Sequence, residues 1–306
     1  MGEMTSISRP FVRRRPVSER FIETLLMAAA SVGILTTVGI VVVLLLEAVE
    51  FFRIINPIEF FTGTTWSASI LPFQFGVIPL VTGTLGVSVI ALIVAVPLGL
   101  LAAVFLGEYA SLRVRNVVKP VLETLAGIPT IVLGFFALNF ITPDILKAIF
   151  PTIGTFNMLA AGVVVGLLVT PLIASLSEDA MRAVPRGLRE GALAMAATRF
   201  EVIRRVVLPA ALSGIMASVI LAMSRAVGET MAVVLAMGFN PKLTVNPLDQ
   251  GGTMAAFIAQ ITSGDTPQDS LQFKSLFAVA LVLFVMTLSL NLISNRIVAR
   301  YRNRYA

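Results

Sequence analysis

An all-α polytopic membrane protein with six transmembrane helices is what this sequence predicts, and three observations predict it. Of 306 residues, 57% are hydrophobic and 13% charged, with a mean hydropathy of +0.93; water-soluble domains carry about 25% charged residues. Six segments reach the roughly twenty apolar residues that cross a bilayer. Lys and Arg fall on alternate loops, as the positive-inside rule requires of a multi-span chain.

Residues 1–20 form a basic segment containing Arg13, Arg14 and Arg15. The first span, approximately Phe21–Leu46, includes Ala28-Ala29-Ala30, so a cleaved signal peptide competes with a retained helix. Its apolar run of about 25 residues exceeds a signal core, and a retained span is expected. A loop from about Glu47 to Gly76 follows. There Trp66 and the pairs Phe51/Phe52 and Phe60/Phe61 are expected as interfacial anchors, or as a docking surface for an extracytoplasmic partner. The second span is approximately Val77–Leu106 and the third Val121–Ile141. Pro120 and Glu123 suit the N-terminus of that third helix. The fourth, Met158–Leu176, carries Gly162 and Gly166 at the spacing that permits close helix contact. A charged loop, 178–207, leads to the fifth span, Leu208–Gly238. After another long loop, Phe239 to Ser275, the sixth span covers Leu276–Ile293, so 21–295 form the membrane domain and 296–306 a basic tail. Pro97, Pro129 and Pro171 lie inside apolar runs and kink helices for packing. Gly127-Ile128-Pro129-Thr130 also offers free carbonyls and a hydroxyl to a polar pathway.

Eighteen of the 23 Lys and Arg lie before residue 21, at 107–120, at 178–207 or after 293; the alternate loops hold only Arg53, Lys147, Lys242 and Lys274. Both termini are therefore expected in the cytoplasm. The net charge of +6 reads as topology, and no nucleic acid is expected. Cysteine and histidine are both absent, which removes thiol nucleophiles, disulfides and Cys/His metal sites. No Lys follows a Gly, so a Walker phosphate loop is absent. If ATP drives this protein, another chain hydrolyses it.

Arg225 and Glu229 stand inside the fifth apolar run. A charge at a helix centre costs about 2.5–3.5 kcal/mol on insertion scales, so such residues point to function. They either handle a polar cargo or pair with each other to lower their own cost, although acid before base is the better order for that.

The 178–207 loop holds ten charges and reads as two short helices, Glu190 to Ala197 and Glu201 to Val207. Glu190-Gly191-Ala192, then Ala196, Val206 and Leu208-Pro209, resembles the coupling signature of ABC-importer permeases. That signature is Glu-Ala-Ala, three residues, Gly, nine residues, Ile, one residue, Leu-Pro. Here Gly191 replaces an Ala and Ala196 replaces the Gly of the turn. Leu122 to Gly134 is similar to the third-span motif of phosphate-import permeases. Arg225-Ala226-Val227-Gly228-Glu229-Thr230-Met231-Ala232-Val233 is similar to their fifth-span motif, in the form that resembles the C-type of the two paired subunits. The resemblance implies the type I ABC-importer permease fold and a non-catalytic subunit. Its partners would be a non-identical, A-type permease, two ATPase subunits and an extracytoplasmic phosphate-binding protein. No cofactor is implied in this chain; ATP and Mg would sit on the ATPase subunits. Coupling is implied through residues 186–209, with Arg189, Glu190, Gly191, Ala192, Ala196, Arg199, Leu208 and Pro209 as its residues. Arg225, Glu229 and Thr130 are implied in the cargo pathway. A permease for sulfate, molybdate or phosphonate, and an ion-coupled secondary transporter, are the competing readings.

Overall fold

The structure, a computed structural model, describes residues 17–68 and 71–302. The basic segment up to Pro16 and the last four residues of the tail lie outside the described residues. The chain divides into two compact units, Met1–Leu46 and Glu47–Ala306.

Within the first unit the described chain is the leading part of helix α1 (Val17–Ile54). Phe21, Leu25, Leu35 and Leu46 are exposed, as a lipid-facing helix demands. Its few hydroxyls are satisfied internally: Ser31, Thr36 and Thr37 donate to the carbonyls of Met27, Val32 and Gly33 at 2.8, 2.8 and 2.9 Å. These three hydroxyls are thereby shielded from hydrocarbon.

The other unit begins with the end of α1 and α2 (Pro57–Thr62), then a two-stranded antiparallel ribbon, β1 (Trp66–Ser67) and β2 (Gln74–Phe75), in the register Trp66 to Phe75. Helix α3 (Ile78–Val104) continues into a π-turn, Phe105–Tyr109. Amphipathic α4 (Leu112–Leu125) follows, capped by Ser111. Next come α5 (Thr130–Phe136), a π-helical stretch (Ala137–Leu146) and α6 (Lys147–Ile149), which form one continuous rod. Helix α7 (Met158–Arg182) is the most buried span. A hairpin of α8 (Arg186–Ala194) and α9 (Arg199–Val202) leads through a π-turn, Ile203–Val207, into α10 (Leu208–Val227). The chain ends with α11 (Met231–Met237), α12 (Met254–Ser263) and α13 (Leu271–Arg302).

Six helices among the described residues are long and apolar enough to cross a membrane: Phe21–Ile54, Ile78–Tyr109, Thr130–Ile149, Met158–Arg182, Arg199–Val227 and Leu271–Arg296. Two expected boundaries are corrected. The third span starts at Thr130, not Val121, because Pro129 bars its predecessor from helical backbone and α4 ends at Leu125. Glu123 therefore lies in the last turn of α4, not at a span's N-terminus. The fifth span stops at Val227 and resumes as α11, so 208–238 is a broken helix.

The expected interfacial aromatics are corrected too. Phe51, Phe60 and Trp66 are buried and meet Phe75 and Phe257 in edge-to-face contacts with ring centroids 4.8 to 6.4 Å apart. They form a core at the end of the bundle away from the hairpin; Phe61 alone of the two Phe pairs is exposed.

Helix α7 packs closely on α3. A Cβ at Gly162 would lie 2.5 Å from Ile90, and one at Gly166 would lie 2.8 Å from the Ala91 carbonyl. The small-residue face therefore sets the approach of these spans. Gly166→Val should lower the midpoint of thermal unfolding in detergent, on the scale of the roughly 1–3 kcal/mol typical of overpacked cores.

Candidate functional site

Helix α7 runs antiparallel to α10. Ser177 and Ser218 share a hydrogen bond of 2.8 Å, and Gly214 has no room for a side chain against Ala180. Extending that register brings Arg225 level with Thr170 and Pro171, the middle of α7. Arg225 is thus at mid-bundle, in the last turn of α10, and it is exposed. Glu229 lies beyond the helix end. Gly228 closes α10, and Glu229 Oε1 accepts from the Ala232 N–H at 3.4 Å, capping the start of α11. Expecting the two charges one turn apart on a continuous helix is therefore wrong. Among the described residues no ion pair joins them, and Arg225 has no carboxylate partner within salt-bridge distance.

Helices α5 and α11 run parallel. Gly134 lies against Ala232 and Leu235, and further on Asn157 hydrogen-bonds both Thr142 Oγ1 at 3.4 Å and the Ala236 carbonyl at 3.2 Å. One turn back, Thr130 opens α5 as Glu229 and Thr230 open α11. By register, Thr130 and Glu229 stand at neighbouring helix starts, and Arg225 lies one turn before Glu229 in the chain. The start of α5 has no side-chain cap; the Val132 N–H donates to the Pro129 carbonyl at 2.9 Å, which leaves the N–H groups of Thr130 and Ile131 to meet an acceptor.

The hairpin is built from two complementary caps. At the end of α8 the Ala197 N–H donates to the Ala192 carbonyl at 3.2 Å and the Ala196 N–H to Leu193 at 2.9 Å. This is a Schellman arrangement, and its left-handed residue is Ala196, at φ 58°. Ala196 thus holds the backbone conformation that the resembled signature assigns to Gly. Thr198 and Glu201 then form a capping box that starts α9: the Thr198 N–H donates to Glu201 Oε2 at 2.9 Å and the Glu201 N–H to Thr198 Oγ1 at 3.3 Å. Glu190, Gly191, Ala196 and Arg199 are exposed, and Ala192 is half-buried. Leu208 and Pro209 begin α10 directly after the π-turn. Pro209 has no N–H, and its ring would clash with the carbonyl four residues back; the wider π-turn accommodates it without ending the helix.

Sequence reasoning missed the acid that organises this end. Glu178, assigned to a solvated loop, is fully buried in α7. Arg115 Nε is 2.8 Å away, Lys119 Nζ 2.7 Å and Arg182 Nη1 3.6 Å, while Lys119 also reaches Asp179 at 2.6 Å. The clasp ties α4, which buries no residue of its own, to α7. Burial by itself would pull the Lys119 ammonium down, but hydrogen bonds to Asp179 and Glu178 outweigh it and hold the group above its ordinary value. A lysine raised on folding stabilises fully below its unfolded value of about 10.4, and that stability is lost as pH rises through the folded value. The Lys119 arm of the clasp is therefore fully formed at physiological pH.

Two substitutions test these features. Glu178→Gln leaves three cations facing a neutral amide and should cost about 3 kcal/mol, read as a lower unfolding midpoint. Ala196→Gly should stabilise the hairpin by about 1 kcal/mol, left-handed strain less the greater unfolded freedom of glycine. Slower amide exchange at residues 192–201 would register it.

Comparison with known proteins places this geometry in a family. The family described as "Binding-protein-dependent transport system inner membrane component" matches residues 95–305. The "Probable ABC transporter permease protein YqgH" of Bacillus subtilis is 36% identical over 266 residues, covering 86% of this chain and 83% of that protein. The "Phosphate transport system permease protein PstC 1" of Mycobacterium tuberculosis is 35% identical over 291 residues, covering 83% and 85%. Among solved structures, a bacterial alginate ABC transporter aligns at a TM-score of 0.62 and 14% identity, over 93% of this chain and 97% of that one. The MetNI methionine ABC transporter aligns at 0.55 and 20%, over 74% and 94%. These structural likenesses carry the fold, that of type I ABC-importer permeases. With the family match spanning both the broken helix and the hairpin, the chain belongs to the binding-protein-dependent transport system inner membrane components.

Proposed function

We propose that this chain is the C-type permease subunit of an ATP-driven phosphate importer. The observation that carries the proposal is Arg225: a permanent charge at mid-bundle, exposed, with no ion-pair partner among the described residues. A guanidinium presents planar donors suited to an oxyanion. The names of the relatives, several of them phosphate transport permeases, support phosphate as that anion.

Glu229 Oε1 is engaged by the Ala232 N–H, and its other oxygen is available to accept from a protonated phosphate oxygen. Sulfate has no such proton at neutral pH, and a site left with an unmet buried acceptor discriminates strongly. Thr130 would offer a hydroxyl from the facing helix. Proximity of the acid also keeps Arg225 from trapping its cargo.

In this reading the hairpin end faces the cytoplasm, as the placement of Lys and Arg supports, and both termini lie there. Two ATPase subunits, holding ATP and Mg, grip the 186–209 hairpin. A non-identical, A-type permease completes the path, and an extracytoplasmic phosphate-binding protein delivers to the opposite face. Movement of the hairpin passes to α10 without a joint, since Arg199–Val227 is one continuous helix, and so to Arg225.

Replacing Arg225 by Gln should abolish uptake of radiolabelled phosphate while the ATPase and the A-type permease still co-purify. Normal uptake would remove Arg225 from the pathway. Inhibition of wild-type uptake by sulfate or molybdate as strong as that by unlabelled phosphate would assign a different oxyanion.

A further inference from the structure

Helix α8 buries no residue of its own, yet one of its side chains is firmly held. Arg189 Nη1 lies 2.9 and 3.0 Å from the two carboxylate oxygens of Glu108, and Nη2 donates to the Met181 carbonyl at 2.7 Å. Glu108 belongs to the π-turn that ends the second span, and its side chain is 10% exposed. Met181 is in the last turn of α7, and its carbonyl accepts from the Val184 N–H at 3.2 Å as well as from Arg189. Gly107 brings the π-turn against the side chains of Glu178 and Met181. One turn earlier on α7, Glu178 holds α4. The ends of two spans thus converge on one guanidinium, and Glu178 ties α4 to the second of them.

We infer that Arg189 is an inward-facing positioning residue: with Glu108 and the Met181 carbonyl it latches α8 to the ends of α3 and α7. The inference rests on the coupling reading above and changes what one of its residues does. Without the latch, α8 hangs between two turns, Ala183 to Pro185 and Met195 to Ala197, and swivels under load. With the latch, α8 and the ends of α3 and α7 move as a plate. A push on α8 then reaches the second and fourth spans directly. Through the Glu178 clasp it also reaches α4 and the third span, which carries Thr130. Both arms of the guanidinium are used inward, so contacts with an ATPase fall to the exposed Leu188, Glu190 and Met195.

The chain holds no cysteine, so Glu108→Cys with Arg189→Cys supplies the chain's one thiol pair, tested in the assembled transporter. A short bifunctional thiol reagent should bridge the two positions in resting membranes without ATP, as read by mass spectrometry of the joined peptides. That readout needs no ATPase and fails separately from the coupling reading. In reconstituted vesicles, Arg189→Gln and Glu108→Gln should each lower the phosphate moved per ATP about tenfold, within the range of effects along coupled networks, while ATP hydrolysis and co-purification of the ATPase persist. The charge exchange Glu108→Arg with Arg189→Glu, and bridging of the thiol pair, should each recover most of that yield. Failure of the thiols to bridge would overturn the latch, as would wild-type yield per ATP in both single variants. Loss of ATPase co-purification in Arg189→Gln but not in Glu108→Gln would put the guanidinium on the ATPase and equally overturn it.

Discussion

Keeping a charge at the middle of an apolar bundle costs about 2.5–3.5 kcal/mol on insertion scales, and the way this chain meets that cost shapes its fifth span. A continuous helix would leave Arg225 and Glu229 exposed to that full penalty. The break at Gly228 gives each charge the helix end that suits it. Arg225 lies in the last turn of α10, where carbonyl ends favour a cation, and Glu229 precedes α11, where N–H groups favour an anion. Each such placement is worth about 0.3–1 kcal/mol, and up to about 2 in a partly buried setting. For Arg225 that leaves much of the cost unmet. In the proposed function, a passing oxyanion would offset the remainder.

The same break explains the order of the two residues. Base before acid is the poorer arrangement for a pair on one helix, and on an unbroken helix it would be a flaw. Across a helix end followed by a helix start it is the favourable order. The sequence pattern Arg, Gly, Glu, Thr is therefore consistent with a discontinuous span, and discontinuous helices with polar ends at mid-membrane are where transporters place their cargo.

Much of the fold is legible in the residues alone, and the misses have physical causes. The six spans follow from apolar runs, since nothing else satisfies lipid over such lengths. The start of the third is hidden because Val121, Leu122 and Leu125 continue the apolar text into α4, which is amphipathic. The close α3–α7 approach is readable in Gly162 and Gly166, because only their own small size is needed. Phe51, Phe60 and Trp66 are misread because an aromatic at a span end suits lipid headgroups and a packed core equally well; only the partners Phe75 and Phe257 decide, and Phe257 is distant in sequence. Glu178 is invisible for the same reason. Its neighbours in the chain have the composition of a solvated loop, while Arg115 and Lys119 arrive from another helix. For the pathway candidates Arg225, Glu229 and Thr130, the residue types are readable and their placement at helix ends is not.

The hairpin shows how the spacing of the resembled signature holds without its glycine. A left-handed alanine costs about 1–2 kcal/mol relative to an ordinary conformation. Against that stand two cap bonds from Ala196 and Ala197, of about 1 kcal/mol each by typical net values, and the capping box that begins one residue later. Ala192 and Ala197 also pack against the same cluster as Val202, Val207 and Ala211, which supplies the apolar contact that accompanies a Schellman end. The turn is held by what flanks it, so glycine is an improvement there and not a requirement. What cannot change is the count of residues between α8 and Pro209, because one more or one fewer would rotate α8 about its axis and swing Arg189 away from Glu108.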